Sequence, residues 1–252
     1  MTFEPIRIGN TVVRRTKSSS SSSSSSSAVY EIKNETSPHL MRSISAIMPS
    51  SPTAIKATNV LTLRDYIKKT RHATELYVAL GLVKDFGNQM QALISSGWSI
   101  ACMGVNDVLV ITHRDRDQFT HASIDDAEST LGDARMDPQF LFLNDHLMFE
   151  VDAEGTLFID HALPKRSKPK EAFLSPELQR LLQNNAVPLQ VHFKTIYYSA
   201  AQLFIYFLLN VDHVPDDDDD RAYLTPIKCT KLYWFLLRCL NPVPADRKYM
   251  YI

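Results

Sequence analysis

Apolar residues return at helical spacing in several stretches of this chain. Between Glu75 and Ser95, Leu76, Leu80, Val83, Phe86, Met90 and Leu93 recur every three or four residues. That period predicts a long amphipathic helix. Gly81 and Gly87 interrupt it at a cost of about 1 kcal/mol each against alanine, which marks close helix packing. A shorter helix is predicted over Leu61–Lys69, with Thr62 as N-cap and Leu63, Tyr66 and Ile67 on one face. Lys194–Leu209 is apolar nearly all round and predicts a buried helix. Leu232–Leu240 predicts an amphipathic helix with Trp234 buried. His39–Met48 fits a short helix without an acidic residue.

Strand-like runs alternate with these. Ile6–Arg15 is rich in β-branched residues and predicts a strand kinked at Gly9; Ala28–Lys33 predicts a second. Val108–Ile111 is a third. Phe140–Phe149 and Thr156–Ile159 predict strands flanking a turn at Asp152–Gly155. Polar segments separate the patterned ones. Ser18–Ser27 is an unbroken serine tract that can bury no apolar surface. Pro49 and Pro52 sit in a serine-rich linker. Thr112–Pro138 predicts an inserted surface loop, and Val214–Arg221 an acidic one.

Composition narrows the function classes. The chain has 252 residues and 44% hydrophobic content, enough for a sizeable core. A net charge of −1 gives no overall positive field, which argues against a nucleic-acid partner. The longest apolar run, Tyr197–Leu209, is broken by Ser199 and Gln202 and is too short to cross a bilayer, so no membrane is expected. Cys102, Cys229 and Cys239 are odd in number and widely spaced, which suggests neither a disulfide framework nor a zinc site. Reduced thiols and an N-terminus without a signal-peptide pattern point to the cytoplasm or nucleus, not to secretion.

Four motifs carry a resemblance to a known family. TLRDYI at Thr62–Ile67 precedes the long helix; Asp160 follows the strand Leu157–Ile159; Ser175-Pro176-Glu177 is followed by Arg247 within NPVPADR; and Tyr198-Ser199 lies in the apolar helix. In that order these resemble the C-lobe of the protein kinase superfamily. The resemblance covers about Leu61–Ile252. It implies an α+β chain with a mainly helical kinase-like C-lobe (61–252) after a small, degenerate β-rich N-terminal part (1–60) holding the serine loop 18–27. Glu177 and Arg247 then correspond to the ion pair that ties the Ala-Pro-Glu anchor to the last helices.

The same resemblance implies lost catalysis. The slot of the catalytic loop reads IACMGVNDVLV (Ile100–Val110). Ile100 stands at the loop histidine, Cys102 at the base aspartate, Gly104 at the lysine, and Asp107 alone could replace the metal-binding asparagine. Phosphoryl transfer needs a carboxylate to orient the incoming hydroxyl, which a thiol does not supply in the same way. In a second register FLFLNDHL (Phe140–Leu147) fills the slot, bringing Asn144 and Asp145 but no correctly placed His-Arg-Asp. The chain does spell that triplet at His113-Arg114-Asp115, but after a strand and with Thr120 where asparagine is required. Ile196 replaces the aspartate of the central helix, implying that the brace of the loop backbone is lost.

Nucleotide elements are sparse. Gly9 would be the one remnant of a glycine-rich loop, Lys33 the phosphate-pairing lysine, and Asp160 a lone magnesium ligand. His161 and Ala162 replace the remaining Asp-Phe-Gly residues. The reading is a catalytically inactive pseudokinase, closest in type to the kinase non-catalytic C-lobe (KIND) domain. Such a module needs no cofactor and acts as a scaffold that binds another protein or peptide. The alternative is a divergent serine/threonine kinase that binds ATP with magnesium through Lys33 and Asp160.

Overall fold

The computed structural model describes residues 4–16, 28–49, 53–70, 74–113, 138–160, 163, 172–183, 188–211 and 222–249. The serine tract, the acidic run at 214–221, most of the inserted loop, Arg114-Asp115 and His161-Ala162 lie outside the described residues.

The N-terminal part is a four-stranded antiparallel sheet in the order β1 (Ile6–Ile8), β2 (Thr11–Thr16), β3 (Ala28–Lys33) and β4 (Ala54–Ala57). The stretch expected to be one kinked strand is therefore a hairpin. Ile8 pairs with Thr11 across a tight turn at Gly9-Asn10, where Gly9 has φ +58°. That left-handed backbone is what glycine accepts without a Cβ penalty. Helix α1 (Pro38–Ile47) connects β3 to β4, capped by Ser37, whose side chain accepts from the Leu40 amide. Val13, Tyr30, Ile32, Leu40, Ile44 and Ile55 are buried, so this part has an apolar core of its own, continuous with the rest. The region expected to be linker ends in β4, a strand the prolines concealed.

Beyond Thr58 the chain enters a second sheet, β5 (Asn59–Thr62), β7 (Val108–Thr112) and β8 (Gln139–Phe142), in the order β5-β7-β8. Helix α2 (Leu63–Thr70) follows β5 directly. The Thr62 hydroxyl accepts from the Asp65 amide and donates to the Asp65 carboxylate, a reciprocal cap. Helix α3 (Leu76–Ser95) is the spine: it packs against α1, β8, β6 (Trp98–Ile100) and α5 (Thr195–Leu209). Buried Gln89 joins three of these elements, donating to the Ser43 hydroxyl and the Phe142 carbonyl and accepting from the Phe142 amide. A polar group so placed is satisfied in a single arrangement of the helices.

The expected strand Phe140–Phe149 breaks in two. A short 3-10 turn at Asp145–Leu147 separates β8 from β9 (Met148–Glu150), which pairs with β6 rather than continuing the hairpin. β10 (Thr156–Ile159) pairs with β11 (Leu189–His192). Helix α4 (Pro176–Gln183) leads toward α5, the most buried element: from Thr195 to Phe207 only Tyr197 is not buried. Each of Leu203, Phe204, Ile205 and Phe207 contributes about 1.5–3 kcal/mol by leaving water. Asn210, at φ 55°, ends the helix, its amide donating to the Tyr206 carbonyl. Helix α6 (Lys231–Cys239) closes the fold, capped by Thr230. Trp234 on it was expected inside; it is 58% exposed. No described helix is long and apolar enough to cross a membrane.

Candidate functional site

The stretch expected to fill the catalytic-loop slot, Ile100–Val110, runs from the end of β6 through a packed turn into β7. Ile100, Ala101, Cys102 and Met103 are all buried. The Ala101 amide donates to the Leu147 carbonyl at 2.9 Å, and Phe173 and Met103 form an antiparallel bridge. Cys102 is therefore held inside the protein, with 2% exposure. Asp107 is also buried. One carboxylate oxygen accepts from the Gly104 amide at 2.7 Å and the other from Asn144 Nδ2 at 2.6 Å. The two stretches that competed for the slot thus meet, Asp107 from one and Asn144 from the other.

The loop is braced after all, which corrects the expectation drawn from Ile196. Ser199 lies about one helical turn further along α5. Its hydroxyl accepts from the Met103 amide at 3.0 Å and donates to the Phe173 carbonyl. A neutral hydroxyl can satisfy two backbone groups in an apolar interior without the desolvation cost of a carboxylate. Spacing alone could not reveal this, because Ser199 looked like part of a motif and not like a substitute for Ile196.

The Gly9-Asn10 turn sits directly on Asp145. The Asn10 amide and side chain donate to the two Asp145 oxygens at 2.8 and 3.0 Å, and the Thr36 hydroxyl donates at 2.6 Å. The Thr11 hydroxyl donates to the Leu143 carbonyl and accepts from Asn34. A Cβ on Gly9 would lie 2.4 Å from Asp145 Oδ1 and 2.8 Å from Asn144 Oδ1. Partial burial by itself raises the Asp145 pKa, but the hydrogen bonds from Thr36, Asn10 and Asn34 outweigh it and hold it below its ordinary value. The N-terminal sheet is latched to the stretch Leu143–Asp145 by this cluster.

The other nucleotide candidates are not gathered here. Lys33 is 57% exposed at its side chain and pairs with Glu31 on its own strand at 3.2 Å, not with Asp160. Such a surface pair is worth about 0–1 kcal/mol. Asp160 is exposed at the end of β10. His113, at the end of β7, contacts the Lys56 carbonyl and the Gln139 side chain. No group of three or more metal-ligating side chains occurs among the described residues.

Glu177 and Arg247 are in contact. Arg247 donates from Nη1 and Nη2 to the two Glu177 oxygens at 2.5 and 2.9 Å, and from Nε to the Asn241 carbonyl at 2.8 Å. Its guanidinium lies 5.0 Å from the centre of the Tyr198 ring. The pair ties the start of α4 to the turn after α6, and the guanidinium also faces the Tyr198 ring of α5.

One surface feature was missed by sequence reasoning. A concave site of about 560 Å³ is lined by Lys231, Trp234, Leu237, Arg238 and Asn241 along one side of α6. The helical period had assigned Trp234 to the core because it is large and apolar; the buried side is instead Leu232, Phe235, Leu236 and Cys239.

No protein-family model matches the chain, and no curated protein matches it. Among solved structures it is similar to the PknI kinase domain of Mycobacterium tuberculosis, with a TM-score of 0.46 and 12% identity, over 98% of this chain and 94% of that one.

Proposed function

We propose that the chain is a kinase-like module without phosphotransfer activity, which works by binding another protein or peptide in a reducing compartment, cytoplasmic or nuclear. The observation that carries this reading is the state of the loop slot. Cys102 is buried where a base would have to meet a hydroxyl, and the loop backbone is tied down by Ser199. A general base must come within hydrogen-bond reach of the proton it takes, and a buried thiol between apolar neighbours is not placed to do so.

Two further features support it. In the Gly9-Asn10 turn the Asn10 amide is already engaged by Asp145, which takes one backbone donor that a phosphate cradle would need. Lys33 and Glu31 pair in solvent at the sheet surface. Meanwhile the elements that keep the fold rigid, Glu177 with Arg247 and Ser199 with the loop, are fully engaged. A rigid frame without reacting groups is suited to presenting a surface.

The test is transfer of labelled phosphate from ATP, in magnesium or manganese, to the chain itself and to a generic acceptor protein. No incorporation above a heat-inactivated control is expected. Incorporation abolished by Lys33→Ala or Asp160→Ala would establish the active-kinase alternative instead.

A further inference from the structure

We infer that the exposed side of α6 is a docking site for an acidic peptide segment of a partner protein, one that carries a leucine, phenylalanine or similar apolar anchor. The inference rests on the interaction-module reading above and names its surface. Lys231, Trp234 and Arg238 follow one another at intervals of three and four residues, so they stand on one side of the helix, with Leu237 beside them. Trp234 is 58% exposed and Val243, just beyond the helix, 51%. A tryptophan between two cations, above a recess, has the composition of an interface anchor.

Charge selects the occupant. Among residues 222–249 the acidic side chain is Asp246; the basic ones are Lys228, Lys231, Arg238, Lys248 and Arg247, the last being buried against Glu177. At the recess itself the charged lining side chains are both cations, Lys231 and Arg238. Carboxylates on a partner would meet Lys231 and Arg238 while an apolar side chain entered beside Trp234 and Leu237. A two-fold dimer through the same face would instead set Lys231 and Arg238 of one copy against those of the other, which like charge disfavours.

The test uses the full chain and a short fluorescent peptide of glutamates interspersed with leucine and phenylalanine, beside a control with lysine for glutamate. Saturable binding is expected for the acidic peptide alone, weakening as salt is raised. Emission of Trp234 should shift to the blue; the second tryptophan, Trp98, is stacked on His39 of α1 and does not line the recess, so it provides the reference. Lys231→Glu and Trp234→Ala, both at exposed positions, should each weaken binding about tenfold or more while leaving the unfolding temperature within a few degrees. Equal binding of both peptides, no binding, or full binding by both variants overturns the proposal. So does a single-stranded oligonucleotide that binds better than the peptide. A dimer that dissociates on Trp234→Ala assigns the face to a second copy and overturns it too. If the peptide fails while phosphate transfer is also absent, the surface alone is wrong. Phosphate transfer shows the parent reading to be wrong whatever the peptide does.

Discussion

Arg247 closes both arms of its guanidinium on the carboxylate of Glu177, 70 residues earlier in the chain. Arg247 has no solvent exposure at its side chain, whereas Glu177 keeps 19%. The two ends of the pair are therefore unequal. Removing the carboxylate strands a buried cation; removing the cation leaves a carboxylate that water can reach.

Glu177→Ala is accordingly expected to cost about 3–5 kcal/mol, since it leaves an uncompensated buried charge. Arg247→Met, which keeps most of the packing on Tyr198, should cost less. The double variant should be less destabilised than the sum of the two. Denaturant unfolding of the four proteins in a double-mutant cycle checks this; additive losses would mean the pair is not coupled.

The latch on Asp145 should make the N-terminal sheet acid-sensitive. The folded-state pKa values of Asp145 and Glu177 both lie below their ordinary values, against the upward pull of burial. Their stabilisation is present above the unfolded carboxylate pKa and is lost as pH falls through the folded values, that is, below about pH 4. Asp145→Ala removes the acceptor for Asn10 and Thr36 and should cost about 1.5–3 kcal/mol at neutral pH. Amide hydrogen exchange at Asn10 should accelerate, and the acid-dependent part of the loss should shrink.

Asp85 on α3 runs the other way. Burial raises its pKa from 3.8 to about 6, against the opposing effects of the Phe140 amide that donates to it and of nearby Lys84. A raised carboxylate favours the folded state at low pH and loses that contribution as pH rises through about 6. Asp85→Asn keeps an acceptor for the Phe140 amide and removes the buried charge. It is expected to stabilise by about 1–2 kcal/mol at pH 7 and above and to flatten the pH dependence between the two values. Unfolding curves across that range measure it.

The two glycines of α3 should answer to opposite signs. A Cβ on Gly87 would lie 2.7 Å from the Tyr249 ring, whose hydroxyl donates to the Val83 carbonyl at 2.6 Å. A Cβ on Gly81 would meet Phe140 at an ordinary 3.7 Å. Gly81→Ala should therefore be neutral or stabilising by up to about 1 kcal/mol, the helix-propensity gain. Gly87→Ala must displace Tyr249 from its cluster with Phe86, Phe204 and Phe235 and should destabilise by about 1–3 kcal/mol. Thermal melts of the pair decide it.

What could be read from the sequence follows from which interactions are periodic or local. The helices α3, α5 and α6 showed in their spacing, and the Thr62 cap in its position. The pairing of Glu177 with Arg247 showed through motif order, because each half sits in its own recognisable stretch. The missing features depend on contacts between segments with no pattern to mark them. Nothing in Gly9-Asn10 announces Asp145, and nothing in Ser199 announces Met103. Strand β5 pairs with β7 across a long sequence gap, and the short run Asn59–Thr62 is indistinguishable from the approach to a helix. Trp234 misled because size and hydrophobicity are averages over many proteins, whereas its exposure depends on which side of α6 the core happens to claim.

The central proposal is that this chain binds no nucleotide. Thermal unfolding of the full chain with and without millimolar ATP and magnesium tests it most directly, because a ligand that binds the folded state raises its melting temperature by mass action. An unchanged melting temperature is the predicted result. A rise of several degrees that disappears in both Lys33→Ala and Asp160→Ala would contradict it.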